Sequence, residues 1–114
     1  MEKLYDRHCE ACRIDSPSVN DEEATDLLLK IPGWKRGVHE GVEKLTREFY
    51  FMDFKDSLAF TCKIAALSEK ENHHPSIKTE WGKVTVCWWT HSVNGLHIND
   101  FIMAAKTDMI VMIS

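Results

Sequence analysis

The sequence predicts an α+β two-layer sandwich: a four-stranded antiparallel sheet with helices on one face, in the order αββαββα. Three segments space their apolar residues at helical period. Between them lie two pairs of alternating segments, each pair joined by a glycine-containing turn. No internal repeat or low-complexity stretch interrupts this order. Residues 1–17 lack periodicity and end in Ser16-Pro17, so they read as an N-terminal arm; residues 18–114 read as a single domain.

The first helix starts at Asn20, a capping residue answered by Glu23 three positions on. Asp21 and Glu22 place negative charge against the positive end of the helix dipole. Ala24, Leu27, Leu28 and Ile31 form its apolar face, and Pro32-Gly33 stops it. Trp34 to Val38 is a short strand, Glu40-Gly41 a turn, and Val42 to Phe51 the returning strand. Leu45, Phe49 and Phe51 share one parity of that strand, which Arg47 breaks without a sequence-level reason.

Asp53 caps the longest helix, Phe54 to Asn72, which carries two apolar stripes. Phe54, Leu58, Cys62, Ala65 and Ala66 form one; Phe60, Ile64 and Leu67 form the other. One stripe covers the sheet, and the second is expected to pack on another subunit. Pro75 disfavours helical geometry in the residue before it, so the helix should end near His73 with His74 extended. Ile77 to Glu80 and Lys83 to Thr90 are strands around the Trp81-Gly82 turn. Val84, Val86 and Trp88 take one face of the second strand, and Thr85, Cys87, Trp89 and His91 the other. After a loop, Asn99 is expected to cap the last helix, with Phe101, Ile102, Ala105, Met109, Met112 and Ile113 as its core face.

Composition narrows the function. The chain has 114 residues, enough for one self-sufficient core. Hydrophobic residues make up 44% and charged residues 28%, a globular balance. The net charge is −4 and no Lys/Arg run exceeds two residues, which argues against a nucleic-acid binder. Met1 to Arg13 lacks the apolar core of a signal peptide, and no stretch is long enough to span a membrane, so the expected location is the cytoplasm. Cys9-Glu10-Ala11-Cys12, beside His8, has neither the second ligand pair of a zinc site nor the strand-to-helix setting of a redox pair. It reads as part of a solvated arm, while Cys62 and Cys87 read as small buried hydrophobes.

The chemistry concentrates in Glu69-Lys70-Glu71-Asn72-His73-His74-Pro75, then Thr90-His91, then Gly95-Leu96-His97-Ile98-Asn99-Asp100. The helix ending at His73 leads into a hairpin that ends at His91, so the order of elements brings His73, His74 and His91 toward one site. His8, His39 and His97 read as surface or capping residues. Two chemistries compete at the shared site. Three imidazoles and Asp100 match the ligand count of zinc, but the spacing that puts two ligands on one helix face is absent. General acid–base catalysis needs a proton donor, an acceptor and a carboxylate that orients an imidazole, and Asp100 suits the last role. Its plainer role is charge stabilisation of a helix N-terminus.

Glu69-Lys70-x-x-His73-His74-Pro75, Thr90-His91, Gly95-Leu96 and Asp100 resemble the pterin-4a-carbinolamine dehydratases over nearly the whole chain. The Cys9–Cys12 arm, Trp81–Val86 and Asn99–Ala105 are similar to the bacterial branch associated with phenylalanine hydroxylase. Ser76-Ile77 departs from the acidic-aromatic pair of animal members, and His97 stands where Thr or Ser is commoner. The resemblance implies dehydration of 4a-hydroxytetrahydropterin to quinonoid dihydropterin, with no cofactor and no metal. Because this carbinolamine already loses water slowly unaided, acid–base help of about 10²–10⁴-fold suffices. It implies His73 and His91 as the acid–base pair and His74 as a third catalytic residue that positions substrate. Asp100, Pro75, Thr90 and Trp89 are implied on the substrate side, with a packed core indole as the plainer role of Trp89. It also implies dimers or tetramers. Animal members serve as dimerisation cofactors of a transcription factor, so a protein-binding regulator acting through Phe60, Ile64 and Leu67 is the alternative.

Overall fold

The computed structural model describes residues 3–9 and 18–112. Its elements run α1 (Asp21–Leu28), β1 (Lys35–His39), β2 (Val42–Tyr50), α2 (Phe54–Glu71), β3 (Ser76–Glu80), β4 (Lys83–Trp88) and α3 (Ile98–Met112), with short 3-10 turns at Leu4–Asp6 and His91–Val93. The strands form one antiparallel sheet in the order β1-β2-β4-β3, so the α+β sandwich and its αββαββα order stand.

Local chemistry explains the boundaries. Asn20 and Glu23 form the reciprocal capping box that starts α1. Asp53 accepts from the Asp56 N–H at 2.8 Å and starts α2. Glu40 and Gly41 both take positive φ, 53° and 77°, the geometry that lets a two-residue loop match the twist of β1 and β2. The α2 helix stops at Glu71, before the predicted end. Asn72 adopts the left-handed conformation at φ 52°, which asparagine tolerates, and the His73 N–H bonds back to the Ser68 carbonyl. His73 and His74 therefore both lie beyond the helix.

Leu45, Phe49, Val84, Val86 and Trp88 cover the helix-facing side of the sheet. Arg47 shares their parity. Its guanidinium donates to Asp108 of α3 at 2.8 Å and lies 4.8 Å over the Phe49 ring, so charge pairing and cation–π contact account for it. Trp34 Nε1 donates to the same carboxyl at 2.9 Å. Burial pushes the Asp108 carboxyl above its ordinary value, and these two partners oppose that shift.

The α2 stripes take roles opposite to part of the expectation. Phe60 and Ile64 are buried in the core with Ser57 and Ser68, so they offer no partner surface. Thr61 joins them toward the sheet, its hydroxyl 2.7 Å from that of Thr79. Phe54 and Leu58 are each 46% exposed, and Cys62 is exposed rather than buried. The smaller hydroxyl residues let α2 approach the sheet, which turns the Phe54–Leu58–Cys62 stripe outward.

Two further expectations change. Residues 3–9 are not a solvated strand of arm: Leu4 is buried in the core, and Lys106 of α3 donates to the Tyr5 carbonyl at 3.0 Å. Cys12 lies outside the described residues. The last helix begins at Ile98, and Asn99, Asp100, Met103 and Ala104 are buried beside Phe101 and Ile102. Its N-terminal half is thus buried nearly all round, whereas Met112 is exposed and Ile113 lies outside the described residues.

Candidate active site

The site is organised by Asp100, in the first turn of α3 and fully buried. Its Oδ1 lies 2.7 Å from His73 Nε2. Its Oδ2 accepts from the Thr90 hydroxyl at 2.8 Å and from the His97 N–H at 3.0 Å. A carboxylate approached by this many donors is an acceptor at both oxygens, so His73 Nε2 carries the proton it shares with Oδ1. The other ring nitrogen, Nδ1, is left for chemistry. The His73 ring is 8% exposed and stacks on Trp88, with centroids 5.8 Å apart and planes 12° from parallel. Trp88 is held in turn by Nε1 donating to Thr107 Oγ1 at 3.2 Å.

Each segment reaches this point for a local reason. The left-handed turn at Asn72 ends α2 and aims His73 at α3. Strand alternation puts Thr90 on the same side as Trp88 and Val86. A bridge pairs Thr90 with Gly95, closing the loop that carries His91. His97 is buried rather than on the surface, and it performs the capping that Asn99 was expected to perform. Its Nδ1 accepts from the Asn99 N–H at 3.1 Å, and its carbonyl accepts from the Asp100 N–H at 3.0 Å. An imidazole acceptor here does what a Ser or Thr hydroxyl does at other helix starts. Replacing His97 with alanine is expected to lower the unfolding free energy by about 2–4 kcal/mol, a lost cap plus the cavity left by a buried ring, and serine to restore only the capping part of about 1 kcal/mol, as read from urea midpoints.

The remaining predicted residues are chain neighbours of His73 and Thr90. His74 is half exposed, and its Nε2 lies 2.5 Å from Glu69 Oε2. Pro75, partly buried, leads from His74 into β3. His91 is exposed and directly follows Thr90, the residue that is in the network. Its ring lies 4.7 Å from that of Trp89. Trp89 is not a core indole: it is partly buried on the open face of the sheet, with Lys44 Nζ 4.1 Å over its ring. The core indole is Trp88. Its role beside His73 was missed because in sequence it reads only as one apolar position of a strand. The structure thus joins His73, Thr90 and Asp100 directly and leaves His74 and His91 exposed, His74 against Glu69 and His91 against Trp89. Surface grooves of about 520, 430 and 290 Å³ contain none of these residues. Among the described residues, no group of three or more His, Cys, Asp and Glu side chains converges as a metal ligand set would.

The α+β sandwich thus holds an imidazole–carboxylate pair between the end of one helix and the start of another. The family model for pterin 4 alpha carbinolamine dehydratase matches residues 17–110, and the chain belongs to that family. Among solved structures it is similar to a transcriptional coactivator/pterin dehydratase from Brucella melitensis, at 33% identity and a TM-score of 0.75, covering 82% of this chain and 98% of that one. It also shares its fold with a pterin dehydratase-like protein identified as a RuBisCO assembly factor in the alpha-carboxysome. That match has 23% identity and a TM-score of 0.58, over 68% of this chain and 88% of the other. No helix among the described residues is long and apolar enough to cross a membrane.

Proposed function

We propose that this protein catalyses dehydration of pterin-4a-carbinolamine to quinonoid dihydropterin, recycling the pterin used by an aromatic amino acid hydroxylase such as phenylalanine hydroxylase. The observation that carries the reading is the His73–Asp100 contact, which presents one nitrogen of a nearly buried imidazole with its tautomer set. The substrate carries a hydroxyl on C4a and a proton on the adjacent ring nitrogen system. One group protonates the departing hydroxyl, which leaves as water, and another removes the ring proton as the C=N bond forms. His73 and His91 take these two roles. His74, tethered to Glu69, forms with Pro75 and Trp89 the rim that positions the pterin, and buried Thr90 serves the substrate side from beneath by holding Asp100. Asp100 orients the His73 ring. Stopped-flow decay of a 4a-carbinolamine, with and without protein and in the presence of chelator, tests the reading; no acceleration would overturn it.

Self-association belongs to the same proposal. The exposed Phe54–Leu58–Cys62 stripe is the face of α2 that another copy would cover. Leu58→Glu is expected to reduce the mass of the native species by half or more in light scattering, with the circular dichroism of the fold kept. An unchanged mass would remove this face from the interface. A regulator that binds a protein partner is the second reading, favoured by the coactivator name of the Brucella melitensis protein. It requires a partner captured through Phe54 and Leu58 by a protein inactive on carbinolamine.

A further inference from the structure

Glu71 is a buried acid in an unfavourable place. It is the last residue of α2, where the helix dipole is negative and a carboxylate is disfavoured. Its side chain is only 3% exposed. Such a group persists only when its oxygens are well supplied with donors. They are supplied from the N-terminal segment. Oε1 accepts from the Cys9 N–H at 2.9 Å, and Oε2 lies 3.1 Å from His8 Nδ1. Burial pushes the Glu71 carboxyl up, but the Cys9 N–H, the His8 ring and the charge of Lys106 outweigh it and hold the carboxyl below its ordinary value. The same segment is bound to α3 on its other side. Leu4 is buried in the core, Lys106 donates to the Tyr5 carbonyl at 3.0 Å, and Cys9 Sγ lies 4.0 Å from the Asn99 carbonyl oxygen.

The two anchoring points flank the His73–Asp100 pair. Only Asn72 separates Glu71 from His73, and Asn99 directly precedes Asp100. The His8–Cys9 segment therefore spans the end of α2 and the start of α3, the two segments that must stay in register for the 2.7 Å His73–Asp100 contact. We propose that Glu71 is a positioning residue: by gripping the His8–Cys9 backbone it clamps α2 to α3 and fixes the His73 imidazole against Asp100. It touches neither substrate nor reacting atoms, and it acts through His73. The kinetic consequence rests on the dehydratase reading; the geometric one does not.

The test compares Glu71→Met, which keeps length and helix propensity but removes both acceptors, with Glu71→Gln, which keeps one. Two readouts are taken on the full chain: carbinolamine turnover, and the exchange-protected ring N–H proton of His73 in NMR spectra. A misplaced imidazole is expected to lower kcat about tenfold in Glu71→Met with KM changed less than about twofold. The His73 ring proton should broaden or vanish through faster exchange. Glu71→Gln should restore both readouts to within about twofold of the unmodified protein. If Glu71→Met does not fold, His8→Ala decides, because His8 is exposed and supplies one of the two contacts. That variant should speed exchange of the His73 ring proton and lower kcat by about twofold to threefold. A sharp His73 ring proton with unchanged kcat in the folded variants, or a loss confined to thermal stability, overturns the clamp. If the unmodified protein has no turnover, the dehydratase reading falls, and the ring proton alone decides for or against the clamp.

Discussion

Asp100→Ala is expected to destabilise the protein by about 3–5 kcal/mol, because it strands several buried donors at once. Asp100 accepts at 2.7 Å from His73, 2.8 Å from Thr90 and 3.0 Å from His97. Each donor left unsatisfied in a buried site costs about 1–3 kcal/mol, less whatever an entering water recovers. Water does not recover all of it, because His97 and Thr90 are themselves buried. Asp100→Asn keeps the shape and one acceptor oxygen but aims an NH₂ group at part of the donor set, so about 1–3 kcal/mol is expected. Urea unfolding read by fluorescence and by circular dichroism gives both values, with an unchanged m-value as the check that only stability moved. A loss below about 1 kcal/mol for alanine would mean that Asp100 is not the hub. The same variant separates two roles of this residue. Mere charge stabilisation of the α3 N-terminus is worth about 0.3–1 kcal/mol and weakens with salt; a buried hub costs several times more and is insensitive to salt.

The fold was legible because its signals are local and periodic. Asn20 with Glu23, Asp53, the Glu40-Gly41 turn and the parity of Val84, Val86 and Trp88 each act over a few residues. What was not legible depends on partners far along the chain. Arg47 breaks its strand's pattern for the sake of Asp108, 61 residues away. Helical period alone cannot say which stripe of α2 faces the sheet. Ser57 and Ser68 turned inward because the approach is close and Ser68 satisfies its hydroxyl on the Ile64 carbonyl at 2.8 Å. In the site, a carboxylate that orients an imidazole was readable at Asp100 from types and order, but not that His73 is the ring it takes. The capping role of His97 was within the reading of it as a surface or capping residue, whereas its burial was not, because that depends on the packing of distant segments. Trp88 and Glu71 were silent for a different reason. Their roles are defined by what they touch, a ring face and an arm backbone, and neither contact leaves a spacing in the sequence.

His73→Ala and His91→Ala are each expected to lower kcat by about 10²–10⁴-fold while changing the binding of a pterin product analogue by less than about fivefold. The asymmetry follows from what each ring does. A proton in flight exists only in the transition state, so losing its donor or acceptor removes stabilisation made there and not in the ground state. The rim and the pterin's own contacts remain to bind it. The two losses should not add. If one ring gives the proton as the other takes one, the double variant has little concerted catalysis left to lose beyond the more damaged single variant. Stability separates the pair further. His73 is buried against Trp88 and bonded to Asp100, so its removal opens a cavity and costs about 2–4 kcal/mol. His91 is exposed and touches Trp89 at the surface, so its removal should cost less than about 1 kcal/mol. His91→Ala is therefore the cleaner measurement: a folded protein with near-normal pterin affinity and turnover close to the unaided rate. Equal losses in affinity and kcat at His91 would make it a binding residue and leave His73 without its partner. Additive losses in the double variant would point instead to two independent proton transfers, each rate-limiting in part.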